Sequence, residues 1–359
     1  MLSFFLCVNL LENKSLLIFR SNKQTNMEDL ALMDLMFALI PIITLYLIID
    51  WFLRKPRVSN LNDRYVFISG CDTGFGRLAA ITLAKKGCHV FAGCLTDQGL
   101  MELSNEPYDL IIPMKLDVKN IDNIERVCNI VTRLIPEKRG LWGLINNAGL
   151  TGPLGPYAWM SDTDVRHVMD VNVMGSINMV SAFLPLLKQA KGRIVNVSSI
   201  LGLLNTPYSG PYCMAKHAIE SFSDCLRREV YQYGISVSII EPGGHMTPFM
   251  DKLPVGTQQA WEKLSAPLQQ EYGITFLEKV IFLCTKVIPF IASNKPEDVV
   301  KAYCHALFAR FPRTRYLVGR DAKVLYLTKY VPTYIMDRLF HVPGLRAVPE
   351  CLTQKEKAE

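Results

Sequence analysis

The sequence predicts an α/β fold in which a doubly wound parallel sheet carries helices on both faces. From Asn62 to about Gly319, short apolar runs bounded by Gly, Asp or Pro alternate with longer segments of helical periodicity. The apolar runs are too hydrophobic to face water on one side, which is typical of parallel strands buried on both faces. Strands that alternate with helices form βαβ units, and these units assemble into one parallel sheet.

Seven strands are predicted in this region, and helices lie between them. The predicted strands are Tyr65–Ser69, His89–Cys94, Leu110–Leu116, Leu141–Asn146, Arg193–Ser198, Ser236–Ile240 and Tyr316–Val318. The predicted helices include Arg77–Lys86, Ile121–Leu134, Met214–Tyr233 and Pro296–Phe311. A further apolar stretch, Val324–Phe340, precedes a polar tail.

The composition excludes several classes of protein. Half of the 359 residues are hydrophobic and 20% are charged, which excludes a disordered chain, a collagen and a disulfide miniprotein. The 39 basic residues exceed the 33 acidic ones by only six, and no long Lys/Arg block is present, so no nucleic-acid partner is expected. The ten cysteines contain no CxxC pair, so we expect reduced thiols and no metal site.

The segment before the sheet predicts a membrane anchor at residues 30–53, after an N-terminal extension at 1–29. Leu35–Ile49 is fifteen residues long without a charge, and the run continues to Leu53 with Asp50 as its only ionisable group. A helix that crosses a bilayer core needs about 20 apolar residues. The alternatives are a buried helix of a soluble fold and a signal peptide. A signal peptide fits poorly, because no small-residue cleavage site follows and the Lys/Arg cluster lies on the wrong flank.

The flanks of this run predict an orientation. Basic residues are denser after the run than before it, which favours a cytosolic position for the main domain. The glycosylation sequon Asn13-Lys14-Ser15 would then lie in the lumen. The final residues, Lys355–Glu359, resemble a dilysine retrieval signal of the endoplasmic reticulum. We therefore expect the membrane of the endoplasmic reticulum and contact with its lipid bilayer.

A glycine-rich loop follows the first predicted strand. It reads Ser69-Gly70-Cys71-Asp72-Thr73-Gly74-Phe75-Gly76 and leads into a helix. Glycines at these positions permit a tight turn and let backbone amides approach a pyrophosphate, and the helix N-terminus adds its dipole. The loop therefore predicts a dinucleotide site at the start of the sheet.

The G-x-x-x-G-x-G spacing, together with Asn146-Asn147-Ala148-Gly149 after the fourth strand, resembles the short-chain dehydrogenase/reductase family. The segments GCDTGFG, LWGLINNAG, RIVNVSS and FSDCLRREV are similar to its retinol and hydroxysteroid dehydrogenase branch. The resemblance covers roughly Asn62 to Gly319. It implies one Rossmann-type catalytic domain at 62–320, with a substrate lid at about 246–290 and a C-terminal segment and tail at 321–359.

The resemblance implies a nicotinamide cofactor. Between Gly93 and Thr96, at the end of the second strand, no Arg or Lys could hold a 2′-phosphate, and Asp72 would repel one. These observations favour NAD over NADP. The residues that the resemblance assigns to the cofactor are Gly70, Asp72, Gly74, Phe75, Gly76, Asp117, Asn147, Ala148, Gly149, Tyr212, Lys216, Pro242, Gly243 and Thr247.

Tyr212 and Lys216 stand four apart, a spacing that puts both side chains on one face of a helix. A nearby cation favours phenolate, so the pair is expected to bring the pKa of the Tyr212 phenol towards the working range. Ser199 lies thirteen residues upstream, at a predicted strand end. The resemblance implies that Ser199 binds the substrate oxygen, Tyr212 exchanges its proton and Lys216 holds the ribose. It also implies that Asn172 completes a proton relay through water.

The region after the sixth strand predicts an apolar substrate. Gly244-His245-Met246 departs from the bulky residues that this branch usually has, and His245 is interpreted as a loop residue rather than a base. From Met246 to about Phe290 the lid is rich in apolar side chains, which together with the anchor indicates a lipid-soluble alcohol, either retinol or a hydroxysteroid, with the ketone or aldehyde as its product.

Two alternatives stay open. The first is a dehydrogenase of the 3-hydroxybutyrate type, which is disfavoured because only Lys252 among His245–Leu253 could meet a carboxylate. The second is a catalytically silent relative that binds a dinucleotide or a lipid. The oligomeric state is also open, with a homodimer as one alternative.

Overall fold

The computed structural model describes residues 27–340, and the chain forms two compact units with the boundary after Lys55. The sequon and the dilysine-like tail lie outside the described residues. The predicted limits of the extension, anchor, catalytic domain, lid and C-terminal segment stay predictions.

The first unit contains helix α1, Met27–Arg54. Its 18-residue window Phe37–Arg54 has a mean hydropathy of 1.8, and none of that window is buried. The one acidic side chain in the window Phe37–Arg54, Asp50, accepts a hydrogen bond of 2.9 Å from Arg54. By length and composition the helix could cross a membrane, as could Asp162–Ala190 in the second unit, which is half buried there.

The second unit is built on a sheet of seven parallel strands in the order β3-β2-β1-β4-β5-β6-β7. The strands are β1 Tyr65–Ser69, β2 His89–Cys94, β3 Ile111–Lys115, β4 Gly143–Asn146, β5 Arg193–Val197, β6 Ser236–Pro242 and β7 Arg315–Val318. The predicted doubly wound sheet is confirmed. Its strand order reverses between β1 and β4, which is where such sheets open a crevice for ligands at the carboxyl ends of their strands.

The described part of the second unit forms thirteen α-helices, and those that pack on the sheet cover both of its faces. The helices are α2 Gly74–Lys85, α3 Asp97–Ser104, α4 Ile121–Leu134, α5 Asp162–Met169, α6 Gly175–Ala190, α7 Gly210–Glu229, α8 Pro248–Glu262, α9 Ala266–Tyr272, α10 Ile274–Phe282, α11 Ile288–Ile291, α12 Glu297–Phe308, α13 Arg320–Tyr326 and α14 Thr333–Phe340. Along β1, Val66 and Ile68 face one apolar core with Tyr303 of α12, whereas Phe67 faces the other with Phe183 of α6. Because successive side chains enter two different buried cores, the strand sequences are apolar throughout.

The boundaries of three predicted helices differ from those observed, and the one predicted at Pro296–Phe311 is observed at Glu297–Phe308. The helix predicted at Met214–Tyr233 is observed at Gly210–Glu229. It begins earlier than predicted because Pro211 is accommodated in the first turn, where its missing amide is not needed. The helix predicted at Arg77–Lys86 begins at Gly74, inside the glycine-rich loop. The stretch Val324–Phe340 is divided between α13, a 3₁₀ turn and α14, with Pro332 before the last helix.

Candidate active site

Loops that follow β1, β4, β5 and β6 meet at one edge of the sheet. Gly70, Asn147, Ser199 and Gly243 each lie within three residues of a strand end. Since parallel strands all present their carboxyl ends at the same edge, sequence segments that are far apart converge there.

The glycine-rich loop is packed too closely for side chains. Gly70 has a φ of +72°, and a Cβ there would lie 2.8 Å from the Cα of Ala148. A Cβ at Gly76 would overlap the carbonyl oxygen of Gly70. Gly74 has a φ of +61° and faces the side chain of Thr247 at 3.7 Å. The loop therefore brings Ala148 and Thr247, both predicted cofactor residues, to the start of α2.

Hydrogen bonds join this loop to the loop after β4. The Asn147 Nδ2 donates to the carbonyl oxygens of Ser69 at 3.0 Å and Gly70 at 2.9 Å. In return, the Ser69 Oγ accepts from the backbone amides of Asn147 and Ala148, both at 3.1 Å. The fully buried Tyr303 of α12 donates its hydroxyl to the Asn147 Oδ1 at 3.0 Å, which fixes the orientation of the amide. The loops after β1 and β4, which together are called the cradle, are thus held by hydrogen bonds to each other and by Tyr303.

The start of α2 fits a dinucleotide. The helix has twelve residues, and its N-cap residue Thr73 makes no side-chain capping bond to the first-turn amides. Such amides, with the helix dipole behind them, suit a pyrophosphate. The close approach allowed by the glycines is the second feature that a dinucleotide needs.

Asp72 reaches the end of β2. Its carboxylate accepts hydrogen bonds from the backbone amides of Leu95, at 2.9 Å, and Thr96, at 2.8 Å, and one from the Thr96 Oγ1 at 2.6 Å. Two cations lie nearby, and both are paired: Arg77 with Glu102 and Glu106, and Lys115 with Asp97. This end of the sheet therefore presents a negative carboxylate and no unpaired cation among the residues named here.

Asp117 lies in the turn after β3. Its Oδ1 accepts from the amide of Lys119 at 3.0 Å, and its own amide donates to the Asn123 Oδ1 at 2.7 Å. These bonds shape the turn and leave Oδ2 for another partner. The predicted role of Asp117 at an adenine stays a prediction.

Ser199, Tyr212 and Lys216 come together over the end of β5. Ser199 follows β5 and caps a short 3₁₀ turn, while the other two lie on the first turns of α7. The Lys216 Nζ lies 5.4 Å from the centre of the Tyr212 ring and donates to the carbonyl oxygen of Val197 at 2.9 Å. The Ser199 Oγ lies 3.4 Å from the carbonyl oxygen of Pro242. Three residues separated in sequence thus form one polar group.

Burial dominates the titration of this pair. It raises the pKa of Tyr212 to about 12, against a hydrogen bond with Ser199 that lowers it. It also lowers the pKa of Lys216 to about 8, against the charge of Glu220, which raises it. Desolvation thus outweighs the Ser199 hydrogen bond in setting the pKa of Tyr212, and the expected lowering of that pKa by Lys216 stays a prediction.

Asn172 lies across the site from Lys216, on a π-helical turn at Asp170–Met174. Its side chain accepts from the amide of Leu150 at 3.0 Å and donates to the carbonyl of Leu150 at 2.7 Å. A Cβ on Gly149 would lie 2.6 Å from the Asn172 Oδ1 and 3.7 Å from the Lys216 Nζ, so only glycine leaves room between them. Single π turns often occur at functional sites.

The turn after β6 is fixed by a residue that the sequence did not reveal. The Asp321 Oδ2 accepts from the amide of Gly244 at 2.7 Å, and a Cβ on Gly243 would overlap that carboxylate. The buried His245 has its Nδ1 3.0 Å from the carbonyl oxygen of Gly243 and its ring 5.5 Å from that of Phe75. The turn is therefore held between α13 and the glycine-rich loop.

Helices α8 to α11 cover the other side of the site. They pack on an apolar cluster of their own, with Trp159, Trp261 and Phe276 at its centre. Phe249, in the first turn of α8, has its ring 6.4 Å from that of Tyr212. The space beside the tyrosine is thus bounded by apolar side chains.

A buried ionic cluster lies behind the pair on α7. Arg315 of β7 donates to Glu220 at 2.9 Å and to both oxygens of Asp224 at 3.1 Å, and its Nε lies 3.1 Å from Glu241. Burial and the nearby Glu220 raise the pKa of Glu241 to about 8. The cluster ties the helix that carries Tyr212 to the strand that precedes the Gly243 turn.

Tyr303, Asp321 and Arg315 were all missed in the sequence. Each lies far along the chain from the motif that it supports, and no motif spacing links them. Gly319, two residues before Asp321, has a φ of +114°, a conformation that becomes visible only in the structure.

Comparisons with known proteins agree with this geometry. The family model for short chain dehydrogenase matches residues 64–257. Mouse retinol dehydrogenase 16 is 40% identical over 312 residues, which cover 86% of this chain and 97% of the relative. Mouse retinol dehydrogenase 5 is 39% identical over 80% of this chain and 91% of its own. The crystal structure of a short-chain dehydrogenase from Streptomyces avermitilis has a TM-score of 0.60 and 21% identity, covering 77% of this chain and 96% of its own, which shows the shared fold.

Proposed function

Since the chain belongs to the short-chain dehydrogenase family, we propose that it is a membrane-anchored alcohol dehydrogenase that oxidises retinol-like alcohols with NAD. The observation that carries this proposal is the group formed by Ser199, Tyr212 and Lys216 where the cofactor cradle meets an apolar lid. A nucleotide-binding role alone would need the cradle but neither the polar group nor the lid.

Ser199, Tyr212 and Lys216 would each have a separate role in the oxidation of the alcohol. When bound, oxidised nicotinamide dinucleotide would accept the hydride of the carbinol carbon and bring a positive charge to the site. The Ser199 Oγ would donate a hydrogen bond to the substrate oxygen, and the Tyr212 phenolate oxygen would take the hydroxyl proton. Lys216 would bind the ribose through the donors that Val197 leaves free, since an ammonium group has three.

The position of Asn172 supports a role in proton exchange with solvent. It lies on the far side of Gly149 from the Lys216 Nζ. Two hydrogen bonds with Leu150 hold this side chain against the loop after β4 and would keep it oriented for that exchange.

The electrostatics at the end of β2 support NAD. A 2′-phosphate placed there would meet the Asp72 carboxylate, and the nearby Arg77 and Lys115 are already paired with carboxylates. The predicted cofactor residues that would line the cradle are Gly70, Gly74, Phe75, Gly76, Asn147, Ala148, Gly149, Pro242, Gly243 and Thr247, and Asp117 would lie at the adenine.

The lid and the relatives support an apolar substrate. Phe249 beside Tyr212 would offer contact area to a hydrocarbon chain, and the buried cluster around Phe276 supports the lid helices that carry it. Two relatives that match most of this chain are retinol dehydrogenases by name. A hydroxysteroid would use the same apolar wall, so the substrate panel must contain both classes.

The proposed site of action is the membrane of the endoplasmic reticulum, with the catalytic unit in the cytosol. The full-length protein should sediment with membranes and resist alkaline carbonate extraction. A chain lacking residues 1–53 should be retained less. Equal retention of both chains would contradict the anchor.

The central experiment assays the full-length protein in membranes with NAD and NADP on all-trans-retinol, 11-cis-retinol and 3α- and 17β-hydroxysteroids. We expect NADH formation with a retinol. Binding of NAD without turnover of any alcohol would contradict the proposal and support the silent relative.

A further inference from the structure

The end of the lid exposes a group of large apolar side chains. It consists of Phe282, Val287, Phe290 and Ile291, and we call it the lid tip. Phe290 is 89% exposed, Phe282 59% and Ile291 54%. Single exposed apolar residues are common on protein surfaces, but four within ten residues form a patch that needs a partner.

The side chains of the lid tip do not lie on the buried face of their helices. Residues Phe276, Val280 and Cys284 of the same segment are buried in the lid cluster. The segment from Ile274 to Ile291 is therefore apolar on its buried side and, towards its end, on its exposed side as well. Exposed apolar side chains on a segment whose inner face is already buried suit a partner surface or a membrane interface.

Lysines flank the lid tip in sequence. Lys279, Lys286 and Lys295 are exposed, and the acidic residues nearest in sequence are Glu278 on one side and Glu297 and Asp298 on the other. Apolar tips flanked by lysines suit an interface in which the tips enter the acyl region while the ammonium groups stay at anionic headgroups.

A second exposed segment begins beside the lid tip. A Cβ on Gly244 would lie 3.4 Å from Ala292, at the end of the lid, and 3.7 Å from Asp321, at the start of α13. From there on, Val324, Leu327 and Tyr330 are each at least 64% exposed, among further basic residues. The apolar, basic character thus continues past the lid.

We propose that the lid tip docks on the surface of an anionic phospholipid bilayer. The inference rests on the proposed function, because docking would give a lipid-soluble alcohol a route from the bilayer to Phe249 and Tyr212. Ten residues separate the end of α1 from the start of β1, and these span at most about 35 Å. An anchored helix therefore keeps the second unit within reach of a bilayer and raises the effective concentration of lipid at this surface.

Photo-crosslinking of the full-length protein tests the docking directly. p-Benzoylphenylalanine is placed at position 290 in protein reconstituted in vesicles of phosphatidylcholine and phosphatidylserine. The matched control carries the same group at position 231, because Tyr231 is 81% exposed outside the lid. We expect a lipid adduct at 290 and none at 231. A protein dimer adduct at 290, equal lipid adducts at both positions, or no adduct at 290 would each overturn the proposal.

A kinetic test separates this proposal from the proposed function. The variant Phe290→Ser/Ile291→Ser should raise the KM for retinol dissolved in vesicles about fivefold or more, whereas the KM for a short water-soluble allylic alcohol should stay unchanged. Tyr231→Ser should change neither KM. An equal rise for both alcohols would contradict docking while leaving the enzyme intact. A lipid adduct at 290 in a protein that oxidises no alcohol would support docking and contradict the proposed function.

Discussion

The cofactor side and the lid side of the candidate site are built by different physical means. On the cofactor side, glycines without room for a Cβ and a network of buried hydrogen bonds hold the loops after β1 and β4. On the lid side, helices α8 to α11 rest on a separate apolar cluster, and their end is exposed. The cofactor side therefore depends on hydrogen-bond geometry and close backbone contacts, whereas the lid side depends on buried apolar surface area.

This difference predicts which side tolerates change. Hydrogen bonds and close backbone contacts fail when one atom moves, whereas apolar contacts can repack around a substituted side chain. We therefore expect substitutions on the cofactor side to alter the KM for NAD, and substitutions on the lid side to alter the KM for the alcohol.

The largest effect is expected at Tyr212, where the two sides meet. Tyr212→Phe removes only the hydroxyl, so the packing against Phe249 should survive. General acid–base transfer contributes about 10²- to 10⁴-fold, and kcat should fall by at least that factor, with NAD binding little changed. Single-turnover NADH formation and NAD titration measure the two quantities.

The pH dependence sharpens the same prediction. The pKa of Tyr212 lies near 12 in the free protein, so the phenolate fraction rises with pH across the neutral range. The kcat/KM for oxidation should therefore increase with pH, and the variant should stay inactive throughout. Activity of Tyr212→Phe within threefold of the parent would contradict the mechanism.

The two sides also differ in how far the sequence predicted them. The strands could be predicted, because buried parallel strands are apolar throughout. The close-packed loop from Gly70 to Gly76 could be located as well, because a phosphate cradle requires glycines at short spacing, while the cofactor role of its residues stays a prediction. Tyr303 and Asp321 could not, since a lone residue on a distant helix carries no local pattern. Nor could the raised pKa of Tyr212, because desolvation depends on neighbours that only the folded chain brings together.

The lid side is probed by Phe276→Ala. Phe276 is 2% exposed, and its ring lies 5.1 to 5.9 Å from those of Tyr272, Trp159 and Tyr208. A buried Phe→Ala change costs about 3–5 kcal/mol, here within the lid cluster. We expect the KM for retinol to rise about tenfold or more and the KM for NAD to stay within twofold.

Phe276→Leu is the matched control, since it keeps most of the apolar volume and should have a small effect on both KM values. If Phe276→Ala raised the KM for NAD as much as that for retinol, the two sides would not be independent.

The electrostatic part of the cofactor side is probed by Leu95→Arg. Leu95 follows β2, is 55% exposed, and donates its backbone amide to Asp72. A guanidinium at this position would offer a partner to a 2′-phosphate. We expect the ratio of kcat/KM for NAD over NADP to fall about tenfold, which corresponds to about 1.4 kcal/mol. Leu95→Gln controls for the longer polar side chain, and a tenfold preference of the parent for NADP would overturn the assignment of NAD.

The smallest effect, and the most specific one, is expected from Tyr303→Phe. Tyr303 is fully buried and lies on α12, and its hydroxyl donates to the Asn147 Oδ1. Without that donor the amide loses the contact that fixes its orientation, and its Nδ2 holds the carbonyls of Ser69 and Gly70 less firmly. One hydrogen bond contributes about 0.5–1.5 kcal/mol net, so the KM for NAD should rise roughly three- to tenfold while kcat changes little.

Tyr316→Phe is the control, because its hydroxyl bonds to His305 and to the amide of Arg313 rather than to the cradle. Both variants should lower the melting temperature by a similar amount, but only Tyr303→Phe should weaken NAD binding. Equal NAD affinities in the two variants would show that Tyr303 only stabilises the fold, and that the cradle is held by its glycines alone.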